Sequence, residues 1–374
     1  MKKIIAMLLV LSLLALCGCG STPEETTVPT TQAPTTEAPV TEAPTTVPPT
    51  EAPTEAPTEA PTEPPVPSNP LTGEVLEAPL DSRPFGVVIN NVPAAMPMYG
   101  VSKADIFFEM FVNDFSTRGL ALFADIREVG SLGSVRSLRF NFIDLAQMYD
   151  LVIAHANASK YVYADANASG IDRIDVGKEY ADYYYQDHNR MNNGYAQEHC
   201  MFILGQKTFE YAQSKGIRVT PEEDRDYGLN FTETVNLEAG EDASRININL
   251  CFKTVIKRTV MKYDEELGTY RMNQYNMDMW DATENQPVCF KNVIILFMSV
   301  ENEYHGKTAY HVAEMIGSGE GYFACEGRII PIQWTHDSMD EPFRFTYADG
   351  TPLELSVGNS YIALAPLEST VEYE

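Results

Sequence analysis

Apolar residues recur along most of the chain in short runs with two periodicities. Phe85-Gly-Val-Val-Ile-Asn-Asn91 is a nearly continuous apolar run ending in two amides, and it predicts a buried strand closed by a polar turn. Pro93 to Gly100 reads as a loop, Ile106–Val112 and Leu120–Ile126 as further strands, and Arg127–Arg136 as a Gly/Ser-rich turn region. Phe142, Ile143, Leu145, Ala146 and Tyr149 fall at helical spacing, so 140–149 is expected to be a helix, followed by a short strand over 151–155. Residues 156–198, rich in Tyr, Asp, Asn and Gly, read as a long surface excursion. Met201–Gly216 reads as a helix closed by Lys215 and Gly216, and 221–232 as a loop.

The texture changes after Thr234. Ile246-Asn-Ile-Asn-Leu250 alternates at period two, and short strand candidates follow at 254–263, 269–272, 291–300, 322–324, 328–334, 343–347 and 360–364, with Asp349-Gly350 as a hairpin turn. The expected architecture is an α/β (α+β) domain over residues 68–235 followed by a predominantly β domain over 236–374.

The first 67 residues differ from all of this. Lys2 and Lys3 precede an apolar run, Ile4 to Leu16, which has the length of an export signal and is short for a membrane span. Leu16-Cys-Gly-Cys19 resembles a bacterial lipobox, with small Gly18 before the cut and Cys19 as the lipid acceptor, so 1–19 reads as a lipoprotein signal peptide. Two acyl chains on Cys19 suffice for stable anchoring. Residues 20–67 are nearly all Thr, Glu, Ala, Pro and Val and read as a disordered tether, because they bury too little to offset chain entropy. Frequent proline favours an extended form at about 3.1 Å per residue, a reach on the order of 100–150 Å. These features place the folded part on the extracellular face of the cytoplasmic membrane.

Charge narrows the partners. The chain carries a net −27. Its first 67 residues hold two of the 26 basic and eight of the 53 acidic residues, so the rest carries −21. A body this acidic argues against nucleic acid and anionic lipid surfaces as partners. Cys200, Cys251, Cys289 and Cys325 show no Cys-x-x-Cys pair and no zinc spacing; three sit in or beside apolar runs, which favours free thiols. No cofactor or metal motif is present.

Arginine is scarce, yet Arg118, Arg136 and Arg139 fall within 22 residues, with Ser137 between the last two, around a turn that opens a helix. Such a group suits an anion at a helix N-terminus; the alternative is a structural network with Asp105, Glu109 and Asp144. Asn90, Asn91 and His155 end strands, where α/β sheets gather ligands, and His199 precedes the expected 201–216 helix. A histidine with Ser137 or Cys200 is the nucleophile–base arrangement of a hydrolase, although no nucleophile-elbow motif accompanies it. Asp105, Glu109 and Asp144 also offer carboxylate pairs for glycan chemistry. Gly317-Ser-Gly-Glu-Gly321 lacks the Lys-Ser/Thr of a phosphate loop and precedes a strand, so it reads as a strand-entry turn. Four tyrosines in Tyr180–Tyr185 form a stacking face, an interface or a packed loop.

Several segments together resemble one family: Asn69-Pro-Leu-Thr-Gly73, Arg83-Pro84, Val88-Ile-Asn-Asn91 with Pro93, Ser102-Lys-Ala-Asp-Ile106 with Glu109, Thr117-Arg118, and Val135-Arg-Ser-Leu-Arg139 with Asp144. His155, Arg190 and His199 continue the pattern, followed by Tyr263-Asp264, Tyr270-Arg271, Asn292-Val293, Gly317-Ser-Gly319 with Gly321-Tyr322, Trp334, Pro342 and Asp349-Gly350. Over roughly 70–370 the chain resembles the YerB family of bacterial lipoproteins, classed under DUF3048 with separate N- and C-terminal parts. It departs from the family pattern at Met96, at Gly133-Ser-Val-Arg136 and at Glu198-His-Cys200. The resemblance implies a two-part fold at the cell surface and no established reaction. The reading that follows is a non-catalytic envelope binding or scaffold module, anchored through Cys19, that recognises an anionic wall polymer or an envelope protein; a wall-active hydrolase using His155 or His199 is the alternative.

Overall fold

The computed structural model describes residues 66–113 and 116–374. The signal sequence, Cys19 and the tether up to residue 65 lie outside the described residues. The described residues form one compact unit. The N-terminal half contains β1 (Phe85–Asn91), β2 (Ile106–Asn113), β3 (Ser116–Phe123), β4 (Ser131–Gly133), helix α1 (Phe140–Met148), β5 (Val152–His155), α2 (Lys160–Ser169), β6 (Arg173–Asp175), β7 (Tyr184–Gln186), α3 (His188–Asn192), β8 (Met201–Leu204) and α4 (Gly205–Ser214). The remainder is strands and turns, so the fold is α/β followed by β, as the hydrophobic pattern indicates.

One large sheet runs through both halves. From one edge its order is Glu241–Asp242, Arg328–His336, Gly317–Cys325, Asn292–Met298, Ser360–Pro366, then β2, β3, β1, β5 and β6, with Arg344–Thr346 also paired to Arg328–His336. Ser360–Pro366 lies between Asn292–Met298 and β2, parallel to both, so strands from either side of residue 235 share a ladder. Both faces of this sheet are covered, which is why β1 and the 360–366 strand read as unbroken apolar runs. One face packs α1 and α2 through Phe142, Ile143, Leu145, Val162 and Ala166. The other packs a second sheet built on Arg245–Phe252, Val255–Asp264, Thr269–Gln274 and Thr370–Tyr373, whose Ile246, Ile248, Leu250 and Met261 meet Phe85, Val87 and Phe107.

Three expectations change. Met201–Leu204 is a strand and the helix begins at Gly205. An apolar run of four is compatible with either state, and here Leu132↔Ile203 and Tyr185↔Phe202 pairing decides for the strand. A Cβ at Gly205 would come within 2.1 Å of the Ile126 carbonyl, so only glycine lets the helix start this close. Residues 156–198 are structured, with α2, β6, β7 and α3, and bury Val162, Tyr183 and Arg190. Their polar residues serve as caps: Ser159 accepts from Val162 N–H and Asp187 from Arg190 N–H. Gly317–Gly321 is the first part of the 317–325 strand itself. Asp349–Gly350 does close a turn, with Gly350 N–H donating to the Tyr347 carbonyl at 2.9 Å. All four body cysteines are free thiols.

Between the two sheets, among apolar neighbours, sits Glu109. Pleating points Phe107, Glu109 and Phe111 to one face, and the carboxylate is fully buried. It accepts from Asn91 Nδ2 at 2.9 Å, Thr117 Oγ1 at 2.6 Å, Thr259 Oγ1 at 2.8 Å, Gln274 Nε2 at 3.0 Å and the Tyr361 hydroxyl at 2.7 Å, and it is ion-paired to Lys257. Burial raises the Glu109 pKa, but Lys257 and the donors outweigh it, so the net direction is down. Burial lowers Lys257 to about 8 against the pull of Glu109. Both groups remain charged because each has the other. Glu109→Ala leaves a buried ammonium and several donors without an acceptor, and should cost about 3–5 kcal/mol in urea denaturation. Lys257→Met should cost a similar amount, and the double variant Glu109→Ala/Lys257→Met clearly less than the sum of the single changes.

Candidate functional site

The pleat divides the predicted residues between the two faces of the large sheet. Asn90 pairs with Arg118 across β1 and β3, and Asn91 with Thr117. Neighbours along a strand point to opposite faces, so Asn91 and Thr117 join the Glu109 network, while Asn90 and Arg118 turn away from it. Asn91 also accepts the Tyr275 hydroxyl on its carbonyl at 2.7 Å. It belongs to the inter-sheet core, apart from the arginines.

On the second face three cations gather. Arg118 is only 4% exposed, and among the described residues its one side-chain hydrogen bond is from Nη1 to the Ser137 carbonyl at 2.6 Å. Arg136 is fixed by its backbone: its N–H donates to the Val88 carbonyl, and its own carbonyl accepts from Ala156 N–H, both at 2.8 Å. Its side chain reaches half-exposed Glu198 at 3.1 Å, and its Nε is buried with no partner. Arg139, the residue preceding α1, donates to the Leu138 carbonyl and lies over the Tyr310 ring at 5.9 Å. Burial first, then the charges of Arg139 and Arg136, push Arg118 well below its ordinary pKa. Burial first lowers Arg139 to about 10, and Arg136 adds to the shift. Among the described residues, these three guanidiniums face a single carboxylate, Glu198, which leaves an excess of positive charge.

The expected network with Asp105, Glu109 and Asp144 is not what forms. Asp105 accepts from Asn69 Nδ2 and Ala124 N–H, and burial pushes it up to about 6. Glu109 is taken by Lys257. Asp144 is raised to about 7 by burial and then by Asp165 and Glu303. Since Glu109 is fully buried, it has no access to a glycan. Beside Arg136 lies a cavity of about 530 Å³, lined also by Ser137, Asn157, Tyr180, Gln197 and Glu198. Asn157 and Gln197 carry no signal in the sequence, being ordinary polar residues in loops, and Glu198 stands out there only as a departure from the family pattern.

The histidines stand apart from any nucleophile. His155 is buried, and its Nδ1 meets the Asn157 carbonyl at 3.1 Å. A carbonyl only accepts, so Nδ1 carries the proton and Nε2 is a bare acceptor, buried and without a partner. His199 Nδ1 accepts from Asn90 Nδ2 at 2.8 Å, with Nε2 3.8 Å from Glu198. Burial lowers its pKa, against the pull of Glu198. Neither ring hydrogen-bonds a hydroxyl or thiol, and Cys200 Sγ donates to the Ala196 carbonyl instead. Arg190 is an anchor: it donates to the carbonyls of Ala95, Pro97 and His199 and lies against the rings of Tyr99, Tyr195 and Phe202.

Burial drives His155 down from 6.5 to about 4, against the attraction of Asp175. The unfolded chain therefore takes up this proton more readily, and stability is lost as pH falls from about 6.5 to about 4, by on the order of 3 kcal/mol. Asp105 and Asp144, raised in the folded state, act in the opposite sense. The measurement is thus a difference: as pH falls from about 6.5 to about 4, the urea midpoint of His155→Gln should rise relative to that of wild type, because only the variant lacks this loss.

The chain matches two family models, "Protein of unknown function (DUF3048) N-terminal domain" over residues 71–218 and the corresponding C-terminal domain over 248–362. It is homologous to the Bacillus subtilis (strain 168) protein called "Putative lipoprotein YerB", with 24% identity over 312 residues that cover 79% of this chain and 86% of the relative. The crystal structure of YerB protein from Bacillus subtilis superimposes with a TM-score of 0.70 at 21% identity, covering 82% of this chain and 99% of the other. At that identity the superposition speaks to the fold. Carrying both domains, which together take up well over half its length, the chain belongs to the DUF3048 family.

Proposed function

We propose that this protein is a lipid-anchored component of the outer envelope face whose folded part binds an anionic group, on a wall polymer or on an envelope protein, at Arg118, Arg136 and Arg139. The observation that carries the reading is the imbalance at that site. In a chain of net charge −27, three arginines lie within electrostatic reach of one another with, among the described residues, only the half-exposed Glu198 to offset them. A cation as buried as Arg118 ordinarily has a carboxylate partner; a ligand anion would supply it. Ser137, Asn157 and Gln197 add polar groups at the mouth of the cavity beside Arg136. The anchor is supported by the Leu16–Cys19 lipobox pattern and by the name of the Bacillus subtilis relative. Recognition without catalysis is favoured over hydrolysis because neither His155 nor His199 faces a nucleophile.

Co-sedimentation with purified cell-wall sacculi tests this. Wild-type protein should pellet with the wall, release no soluble fragments, and bind more weakly as salt rises. Arg136→Ala/Arg139→Ala should weaken binding about 10- to 100-fold, the scale of one or two charge-assisted hydrogen bonds. Fragment release abolished by His155→Gln would overturn the reading in favour of a hydrolase. Separately, Cys19→Ser should move the protein from the membrane fraction to the soluble fraction.

A further inference from the structure

A second feature, independent of the arginines, lies at the other end of the large sheet. The 317–325 strand pairs along its whole length with Arg328–His336, from Gly317↔His336 to Cys325↔Arg328. On its other side it pairs with Asn292–Met298 only from Gly321 to Ala324. The 292–298 strand ends at Met298. The chain then leaves the sheet through Ser299, whose carbonyl accepts from Glu314 N–H, into the hairpin of Val300–His305 and Thr308–Ala313. Gly317–Glu320 is therefore a strand edge with a ladder on one side only. The Phe297 carbonyl, the nearest acceptor that could continue the second ladder, is taken by Trp334 Nε1 at 3.1 Å.

The gap is a cavity of about 670 Å³, bounded by Phe297–Ser299 on one side and Gly317–Glu320 on the other, with Trp334 and Leu367 contributing. A second cavity of about 500 Å³ shares Phe297, Glu320 and Ser369 with it and continues past Tyr322 and Val371. Three properties fit one kind of occupant. The open edge offers backbone donors and acceptors at the spacing of a strand, about 13 Å for four residues. Glycine at 319 leaves that point of the strand without a side chain, since a Cβ there would sit 2.6 Å from Trp334 Nε1 and 2.8 Å from the Phe297 oxygen. Glu314 and Glu320 are exposed at the rim and pair with no cation among the described residues, while Ile316 and Leu367 expose apolar surface beside them.

We infer that this cleft is a binding site for an extended basic peptide, which adds a strand to the Gly317–Glu320 edge and places cationic side chains against Glu314 and Glu320. An exposed strand edge templates strand addition, and pockets for alternate side chains give the selectivity. The two carboxylates set the sign of the partner's charge, and they disfavour a second copy of this acidic chain at the same edge.

The test is fluorescence anisotropy of a labelled alternating Lys-Val hexapeptide with the full chain. Two further probes accompany it: the same peptide N-methylated at alternate residues, and its Glu-Val counterpart. The Lys-Val peptide should bind saturably, and both altered peptides at least tenfold more weakly. Glu314→Lys/Glu320→Lys, at two exposed positions, should weaken the Lys-Val peptide at least tenfold while leaving the circular dichroism spectrum and the sedimentation with sacculi unchanged. Binding indifferent to N-methylation would overturn the strand-addition geometry, and binding indifferent to the double substitution would overturn the assignment to this cleft. Absence of binding at millimolar peptide, or a dimer of the chain that competes with the peptide, would overturn the proposal.

Discussion

A single buried ion pair, Glu109 with Lys257, ties the two sheets of this protein together. The carboxylate comes from the centre of the large sheet and the ammonium from the sheet stacked upon it. Around them, Asn91 and Thr117 arrive from strands early in the chain, and Thr259, Gln274 and Tyr361 from strands late in it. Apolar packing alone would accept several offsets between two sheets. A charge pair with this many directional partners accepts one, because any slip leaves a charge or a donor unsatisfied in a low-dielectric interior. The two DUF3048 domains therefore share one interior, with the 360–366 strand lying directly beside β2.

That constraint also accounts for where the candidate sites lie. With the inner face committed to the Glu109 network, Asn90 and Arg118 are held on the opposite face, and the segments after β4, β5 and α3 carry Arg136, Asn157 and Glu198. At the far end the 292–298 strand departs before its neighbour does and leaves the Gly317–Glu320 edge open. One site is rich in cations and the other in carboxylates. The two proposed sites would therefore suit partners of opposite charge, on separate surfaces.

Much of the architecture was legible in the sequence because it follows from periodicity. The strand over 85–91, the helix over 140–148 and the alternating strand from Arg245 could be read from apolar spacing alone. What escaped depends on tertiary pairing. Met201–Leu204 is apolar enough for helix or strand, and β4 and β7 decide it. The glycines of 317–321 look like a turn until the close approach of Phe297 and Trp334 gives them a reason to be in a strand. For the site, the clustering of Arg118, Arg136 and Arg139 was visible as local density in a chain poor in arginine. The separation of Asn90 from Asn91 was implicit in the pleat, yet it needed the register of β1 with β3 to say which of the two faces the arginines. Lys257 and Gln274 carried no signal of their own. The available hint was Glu109, a carboxylate inside the apolar run Ile106–Val112, which demanded a partner without naming it.

The position of the 360–366 strand bears on how the molecule is made. Ile106 is paired with Ser360, and Met110 with Leu364, so the middle of the large sheet stays incomplete until residues 360–364 are available. Ladders between such distant segments close slowly, because the loop-closure entropy must be met before any pairing rewards it. Until then β2 presents a raw hydrophobic edge of the kind that drives aggregation. Truncation after residue 350 should accordingly be far more disruptive than its length suggests, since it removes the strand that joins the two halves.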